Sequence, residues 1–235
     1  MSSLAAFLVL AMAQSGSASA PMTETGQLIR EEEQARLEAC LAKVQDDPEG
    51  AYEDGLAWLA NGNRPPARKC VATALVALEH YMEAADRLVA LANAPDAGSL
   101  DARAGHLAQA GNAYLLAGAP EPALAAFDSA IDLGTGRPSL LVDRATARLQ
   151  LDQPGPAVED LTQALQANPD QPDALRLRAE AYLQLEQYGD ALADVAAARD
   201  LAPGDVDLLV LRGDIREAQR LANSEGPDGP PVNLP

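Results

Sequence analysis

The chain has 235 residues and a formal net charge of −18 at pH 7. This charge argues against nucleic acid and anionic membrane surfaces as partners, because both would repel the protein. It favours a protein or peptide partner that is basic or apolar, although the same acidity would also keep an alanine-rich helical protein in solution. Aromatic residues make up only 3%, and alternating β-branched runs are missing, so the composition predicts an all-α fold.

Residues 1–20 resemble a secretory signal peptide. An apolar run over residues 4–12 is followed by small residues through Ala18-Ser19-Ala20, and the run is too short to span a bilayer. The alternative is a mildly apolar N-terminus of a cytosolic protein, since no Lys or Arg precedes the run. We expect export to the periplasm or the medium, with residues 21–27 as a linker.

The first predicted helical hairpin, residues 28–64, is irregular and carries Cys40. The only other cysteine, Cys70, falls on the first helix of the next hairpin. First helices of neighbouring hairpins pack side by side in a stacked array, so in an exported protein these two residues predict a disulfide. Two buried free thiols are the alternative.

From residue 65 onward the chain repeats with a period of 34 residues, interrupted by an insertion at residues 96–101. The predicted units are 65–96, 104–137, 138–171 and 172–205. Small residues keep the period at three places, namely Gly111, Ala145, Ala179 and Gly213, then Ala123, Ala157 and Ala191, then Ala130, Ala164 and Ala198. A fixed period of this length predicts one helical hairpin stacked repeatedly, with small residues where helices approach closely.

Turns and ends are predicted from Gly and Pro. Pro154-Gly155 and Tyr188-Gly189 mark the turns inside two of the hairpins. A last helix over residues 206–223 has no partner and is predicted to cap the array. Residues 224–235 are rich in Gly and Pro and are predicted to be disordered.

This pattern resembles the tetratricopeptide repeat family over residues 65–223, and more loosely over residues 28–63. The resemblance implies a right-handed α-α superhelix whose first helices line a concave face that holds segments of partner proteins. Carried over by position, it implies the binding residues Asn112, Leu115, Val142, Thr146, Leu149, Arg176, Glu180, Leu183, Asp207, Val210 and Asp214. A carboxylate clamp, which one subclass uses, is not expected because Ala108 stands where that clamp has a lysine.

Five charged residues share the 34-residue period, namely Arg144, Arg178 and Arg212 on first helices and Asp160 and Asp194 on second helices. The preceding unit has Ala110 and Ala126 at these two places, so both charges are missing together. This co-occurrence predicts structural Arg–Asp pairs between packed helices. The alternative is a row of guanidinium groups that binds an anionic ligand.

No group of residues in the sequence predicts a reaction. His80 and His106 lack the spacing of metal ligands, and glycine loops for phosphates or dinucleotides are missing. We therefore expect no metal, no cofactor and no enzymatic activity. The expected function is that of an exported adaptor or assembly factor at the cell envelope, which binds other proteins. The alternatives are a self-associating structural subunit with an incompletely capped end, or an accessory factor of an envelope enzyme.

Overall fold

The computed structural model describes residues 24–225, which form eleven α-helices and no strand. The helices are α1 Glu24–Asp46, α2 Pro48–Asn61, α3 Pro65–Ala77, α4 Tyr81–Asn93, α5 Leu100–Leu116, α6 Pro120–Asp132, α7 Pro138–Gln150, α8 Pro154–Ala167, α9 Pro172–Gln184, α10 Tyr188–Leu201 and α11 Val206–Glu225. The predicted all-α superhelix of stacked hairpins is confirmed. The predicted signal peptide and residues 226–235 of the predicted tail lie outside the described residues.

The helices form two layers. Each helix packs against the next one in the chain, and in addition α1 packs on α3, α5 on α7, α7 on α9, and α9 on α11. The second helices of the described hairpins make no comparable contact with one another. The first helices therefore form the inner layer of the solenoid, and we call the solvent-facing side of α3, α5, α7, α9 and α11 the inner surface.

Local sequence explains where the helices begin and end. Six of the helices within residues 24–225 begin with a proline, whose missing N–H has no partner in the first turn anyway. The turn inside each of four hairpins contains one residue with positive φ, namely Glu79, Gly118, Asp152 and Glu186. The residue after it donates its backbone N–H to the carbonyl five residues earlier, as in Gln187 N to Tyr182 O at 2.8 Å.

Two predicted turns are therefore misplaced. Gly155 and Gly189 lie in the first turns of α8 and α10, and neither has a positive φ. The left-handed positions are held by Asp152 and Glu186 instead, each two residues after the first helix ends. The next residue then donates its N–H back to that helix. Glycine marked the region of the turn but not the residue that makes it.

Three helix bounds also differ from the predicted ones. The helix α1 begins at Glu24 instead of residue 28, with an acidic side chain in its first turn that favours helix initiation. The helix α5 begins at Leu100, inside the predicted insertion, because the Ser99 side chain caps it by accepting the Ala102 N–H at 3.2 Å. The helix α11 extends to Glu225. Between residues 24 and 225, none of the helices combines the length and apolarity needed to cross a bilayer.

The core is built from small residues that bring helices together. Ala145, Ala157, Ala179 and Ala191 are fully buried, as the period predicted. In the α5–α6 hairpin, Phe127 is fully buried against Gly111. A Cβ atom at position 111 would lie 2.5 Å from the Phe127 ring. Glycine is therefore required at this place in the repeat because its neighbour is aromatic.

We expect Gly111→Ala to lower the free energy of unfolding by about 1–3 kcal/mol, because the added methyl group overpacks a buried ring that cannot move. Gly213 occupies the same place in α11 but has no atom near its would-be Cβ. The matched variant Gly213→Ala should instead stabilise the helix by about 0.5–1 kcal/mol. Thermal unfolding followed by circular dichroism measures both changes. Equal effects of the two substitutions would contradict the packing argument.

Candidate binding surface on the inner helices

The eleven residues predicted for the concave face all lie on α5, α7, α9 and α11. At the two ends of this set, Asn112 on α5 and Asp207, Val210 and Asp214 on α11 are exposed to solvent. Their exposure makes them available to a partner. The assignment of binding roles to these residues stays a prediction.

The middle of the set is less accessible. Four of its apolar side chains are half-buried and pack against the core, namely Leu115, Val142, Leu149 and Leu183. The Thr146 hydroxyl donates to the Val142 carbonyl at 3.1 Å. Arg176 and Glu180 form an ion pair with each other at 2.5 Å. These residues offer a partner shape and apolar area more than free polar groups.

A pocket of about 250 Å³ lies between α3 and α5, with the side chain of Leu88 from α4 in its wall. The other lining residues are Thr73, Val76, Gln109, Asn112, Ala113 and Leu116. The side-chain amides of Gln109 and Asn112 make no hydrogen bond with any described residue. A mainly apolar wall with a few unpaired polar groups is typical of a site that receives a partner's side chain.

The repeat pattern predicted Asn112 but none of the other residues that line this pocket. Thr73 is the counterpart of Asn112 in the preceding unit. It lies 39 residues before Asn112 instead of 34, because of the insertion before α5. Allowing for that shift would have identified Thr73 and Val76. Leu116, which is 59% exposed, carries no periodic signal because no other unit has an exposed leucine at its place.

Asp143 is a further residue that the repeat pattern did not indicate. It lies on α7 next to Val142, one helical turn before Thr146, and makes no ion pair or hydrogen bond through its side chain with the described residues. Burial raises the pKa of this carboxyl to about 6. A partly buried acid without a partner among the described residues favours contact with a donor or a cation supplied by another molecule.

The raised pKa of Asp143 predicts a specific pH dependence of stability. Between its ordinary pKa of 3.8 and about 6, the folded chain binds more protons at this site than the unfolded chain. Stability contributed by this group therefore falls as the pH rises through that window. We expect Asp143→Asn to remove this fall, so that the variant gains stability over the wild type at pH 7 but not at pH 4.

Chemical denaturation at several pH values measures this difference directly. Asp207→Asn, which removes an exposed carboxylate from the same surface, is the matched control. Wild type and Asp143→Asn with parallel pH profiles would show that the carboxyl is not destabilised by burial.

Electrostatics differ between the two ends of the inner surface. His106 lies near Lys69 and Arg68 at the α3–α5 end, where burial first and then these two charges lower its pKa. It is therefore neutral at pH 7. Asp207 and Asp214 make the α11 end acidic. An elongated partner segment would thus meet exposed carboxylates at the α11 end.

Four of the five charged residues that share the repeat period form ion pairs between the two helices of a hairpin. Arg178 donates to both carboxylate oxygens of Asp194, at 2.7 and 2.8 Å. Arg144 does the same to Asp160, at 2.9 and 2.6 Å, and Arg148 adds a third contact at 2.8 Å. Asp160 and Asp194 are the two buried charged residues within the described range. The bidentate geometry engages both guanidinium groups inside the protein, which disfavours the alternative of an anion-binding row.

Arg212 is different. It makes no ion pair with any residue that the structure describes, although the period predicted one. The physical reason is that the described chain holds no second helix after α11 that could carry the aspartate.

Cys40 of α1 and Cys70 of α3 are joined as a disulfide, with their Cα atoms 6.0 Å apart. Both helices belong to the inner layer, where α1 packs on α3. The guanidinium of Arg36 lies 4.5 Å from the centre of the Trp58 ring beside this link. The bridge thus ties the irregular first hairpin to the regular array.

His80 lies in the exposed turn before α4 and His106 is half-buried on α5. Within residues 24–225, no group of three or more His, Cys, Asp or Glu residues could hold a metal ion.

Comparison with known proteins gives matches of family and of fold. A family model described as tetratricopeptide repeat matches residues 110–179. A thermophilic repeat protein from Thermus thermophilus is similar in structure, with a TM-score of 0.54 and 23% identity over 79% of this chain and 99% of that one. A double mutant of MamA from RS-1 has a TM-score of 0.56 and 19% identity over 70% of this chain and 99% of that one. Curated proteins give no match by sequence.

The first tetratricopeptide repeat domain of the human RPAP3 protein is a smaller structure. It has a TM-score of 0.50 and 23% identity over 52% of this chain and 97% of that one. At these identities the similarity is one of fold. The fold and the layered inner surface define the chain as a helical-repeat solenoid. Its residues 110–179 are similar to the tetratricopeptide repeat family, whose model matches less than half of the chain.

Proposed function

We propose that this protein is a non-enzymatic adaptor or assembly factor that holds a segment of another protein on its inner surface. The observation that carries the proposal is the α3–α5 pocket, where the Gln109 and Asn112 amides are unpaired within the described chain. The pocket takes one apolar side chain of the partner. The two amides bind the backbone of the same segment, because an amide both donates and accepts hydrogen bonds.

The partner segment is extended or helical and carries basic side chains beyond the apolar one. Asp143 on α7 and the exposed Asp207 and Asp214 on α11 belong to the first helices that follow α5 in the stack. A basic group near Asp143 would favour its ionised form and offset the cost of burying that carboxyl. The net charge of −18 would also attract a basic segment from a distance.

The protein acts at the cell envelope after export. Two observations support this part of the proposal, namely the resemblance of residues 1–20 to a signal peptide and the pairing of the chain's two cysteines, a feature of oxidising compartments. Cell fractionation would test it, since a chain found only in the reduced cytosolic fraction would contradict export.

Photo-crosslinking in cells tests the site. A crosslinking residue at position 116 on α5 should capture a partner protein, because Leu116 is exposed at the rim of the pocket. The control position is 56, since Leu56 is also an exposed leucine but lies on α2, a second helix. Capture at position 116 should fall several-fold when Asn112→Arg fills the pocket. Equal capture at both positions, or capture that Asn112→Arg leaves unchanged, would contradict the proposal.

A further inference from the structure

The last described helix, α11, has a solvent-exposed face whose residues match a face that is buried in an earlier repeat. Leu209, Arg212, Gly213 and Arg216 of α11 lie 68 residues, two repeat periods, after Leu141, Arg144, Ala145 and Arg148 of α7. We call these four residues of α11 the open face. The helix α11 thus repeats the side of α7 that packs on a second helix.

In the α7–α8 hairpin this side is closed. Ala145 is fully buried, and Arg144 and Arg148 both donate to Asp160 of α8. On α11 the same places are open. Leu209 is 50% exposed, and no atom lies within 4 Å of a Cβ built on Gly213. Neither Arg212 nor Arg216 has an ion pair among residues 24–225.

The complete hairpins show which side chains of a second helix cover this side of a first helix. In α8, Ala157, Asp160 and Ala164 face it, and α10 repeats this order with Ala191, Asp194 and Ala198. The requirement is two alanines seven residues apart, with an acidic residue three places after the first. The alanines permit close approach and the acid pairs with the arginines.

The outer side of α1, at the other end of the solenoid, has this arrangement. Ala35, Glu38 and Ala42 keep the spacing of the covering helices, and all three are exposed. Leu28, one heptad before Ala35, is 60% exposed. The side of α1 that packs inside its own chain is a different one, with Leu37, Cys40 and Val44 buried.

Charge complementarity identifies the occupant. The exposed side of α1 carries Glu31 and Glu38, whereas the open face carries Arg212 and Arg216. Two copies of a chain with net charge −18 repel each other in most orientations, so a contact that pairs the arginines with these acids is strongly selected. We propose that the open face of α11 in one copy docks on the outer side of α1 in a second copy, with Glu38 between Arg212 and Arg216.

This contact uses different surfaces of the two copies, so it is heterologous and leaves a free end on each side. Repetition builds an open chain or a closed ring, depending on the rotation between copies. The inner surfaces of successive copies then join into one longer surface. This assembly is independent of the pocket between α3 and α5.

The test uses the full chain with its disulfide intact and measures mass against concentration by light scattering and sedimentation. The wild type should associate as its concentration rises, and less so at high salt because exposed charge pairs are screened. Arg216→Glu and Glu38→Arg should each raise the dissociation constant at least about 10-fold. Arg87→Glu on α4, a matched charge reversal outside both faces, should leave it unchanged.

Mixing the two variants distinguishes this contact from any other. Arg216→Glu retains a native α1 and Glu38→Arg retains a native α11, so an equimolar mixture should form pairs at concentrations where each variant alone is monomeric. Unchanged melting curves of both variants show that they are folded. A wild type that stays monomeric up to about 1 mM, variants that associate as the wild type does, or a mixture no more associated than its components would each overturn the proposal.

Discussion

Replacing Arg178 with alanine is expected to lower the free energy of unfolding by about 3 kcal/mol. The substitution removes two hydrogen bonds to Asp194 and one to the Thr162 hydroxyl. It leaves the Asp194 carboxylate buried with no counter-charge, since Asp194 is only 7% exposed. A buried charge without a partner is among the most destabilising single changes in a protein core.

The matched control for this prediction is Arg176→Ala on the same helix. Arg176 pairs with Glu180 one turn away, and both side chains are about one-third exposed. Exposed ion pairs of this kind contribute about 0–1 kcal/mol, so the control should have a small effect. Thermal and urea unfolding compare the two variants. If Arg178→Ala unfolds like the wild type but loses binding to a partner, the arginine serves recognition instead of stability.

A double variant separates the net contribution of the ion pair to stability from the cost of leaving one charge buried alone. Arg178→Met combined with Asp194→Leu replaces both charges by apolar groups of similar size. We expect this chain to be close to the wild type in stability, because replacing both partners removes the desolvation penalty together with the attraction. A loss as large as that of Arg178→Ala would show that the pair itself is strongly stabilising.

The second large effect concerns the disulfide. Replacing both Cys40 and Cys70 with serine should lower the free energy of unfolding by about 3–4 kcal/mol in the chain-entropy model, since the link closes a loop with a sequence separation of 30 residues. The loss falls on α1 and α3, because the bridge ties the first hairpin to the array. Urea unfolding with and without reductant measures it.

The double serine variant also provides its own control. Reductant should destabilise the wild type to the level of this variant and should not affect the variant itself. Free thiols in protein recovered from an oxidising compartment would contradict the bridge. A reductant effect of the same size on the serine variant would show that the loss has another cause.

Several features could be predicted from the sequence because they depend on contacts that every repeat makes. The 34-residue period identified which alanines are buried, including Ala157 and Ala191, since the same small residue is needed wherever two helices cross closely. It also related Arg178 to Asp194, because a repeated hairpin brings the same positions together each time.

Other features depended on neighbours that the period does not describe. The α3–α5 pocket arises across the insertion before α5, so its α3 residues Thr73 and Val76 do not follow the 34-residue period. The neighbouring units have Gln109 and Leu177 at the place of Asp143, so the acidic residue does not repeat, and its raised pKa comes from burial. Arg212 lacks an ion-pair partner within the described chain because α11 is its last helix.

The amino-acid sequence by itself determined that this protein is an array of helical hairpins, because a repeated pattern of small and apolar residues can be buried only by stacking. The tertiary structure decided where a partner can bind and which helix faces stay open. Those properties depend on how far apart neighbouring helices lie and on what covers each face, and neither quantity is contained in the period.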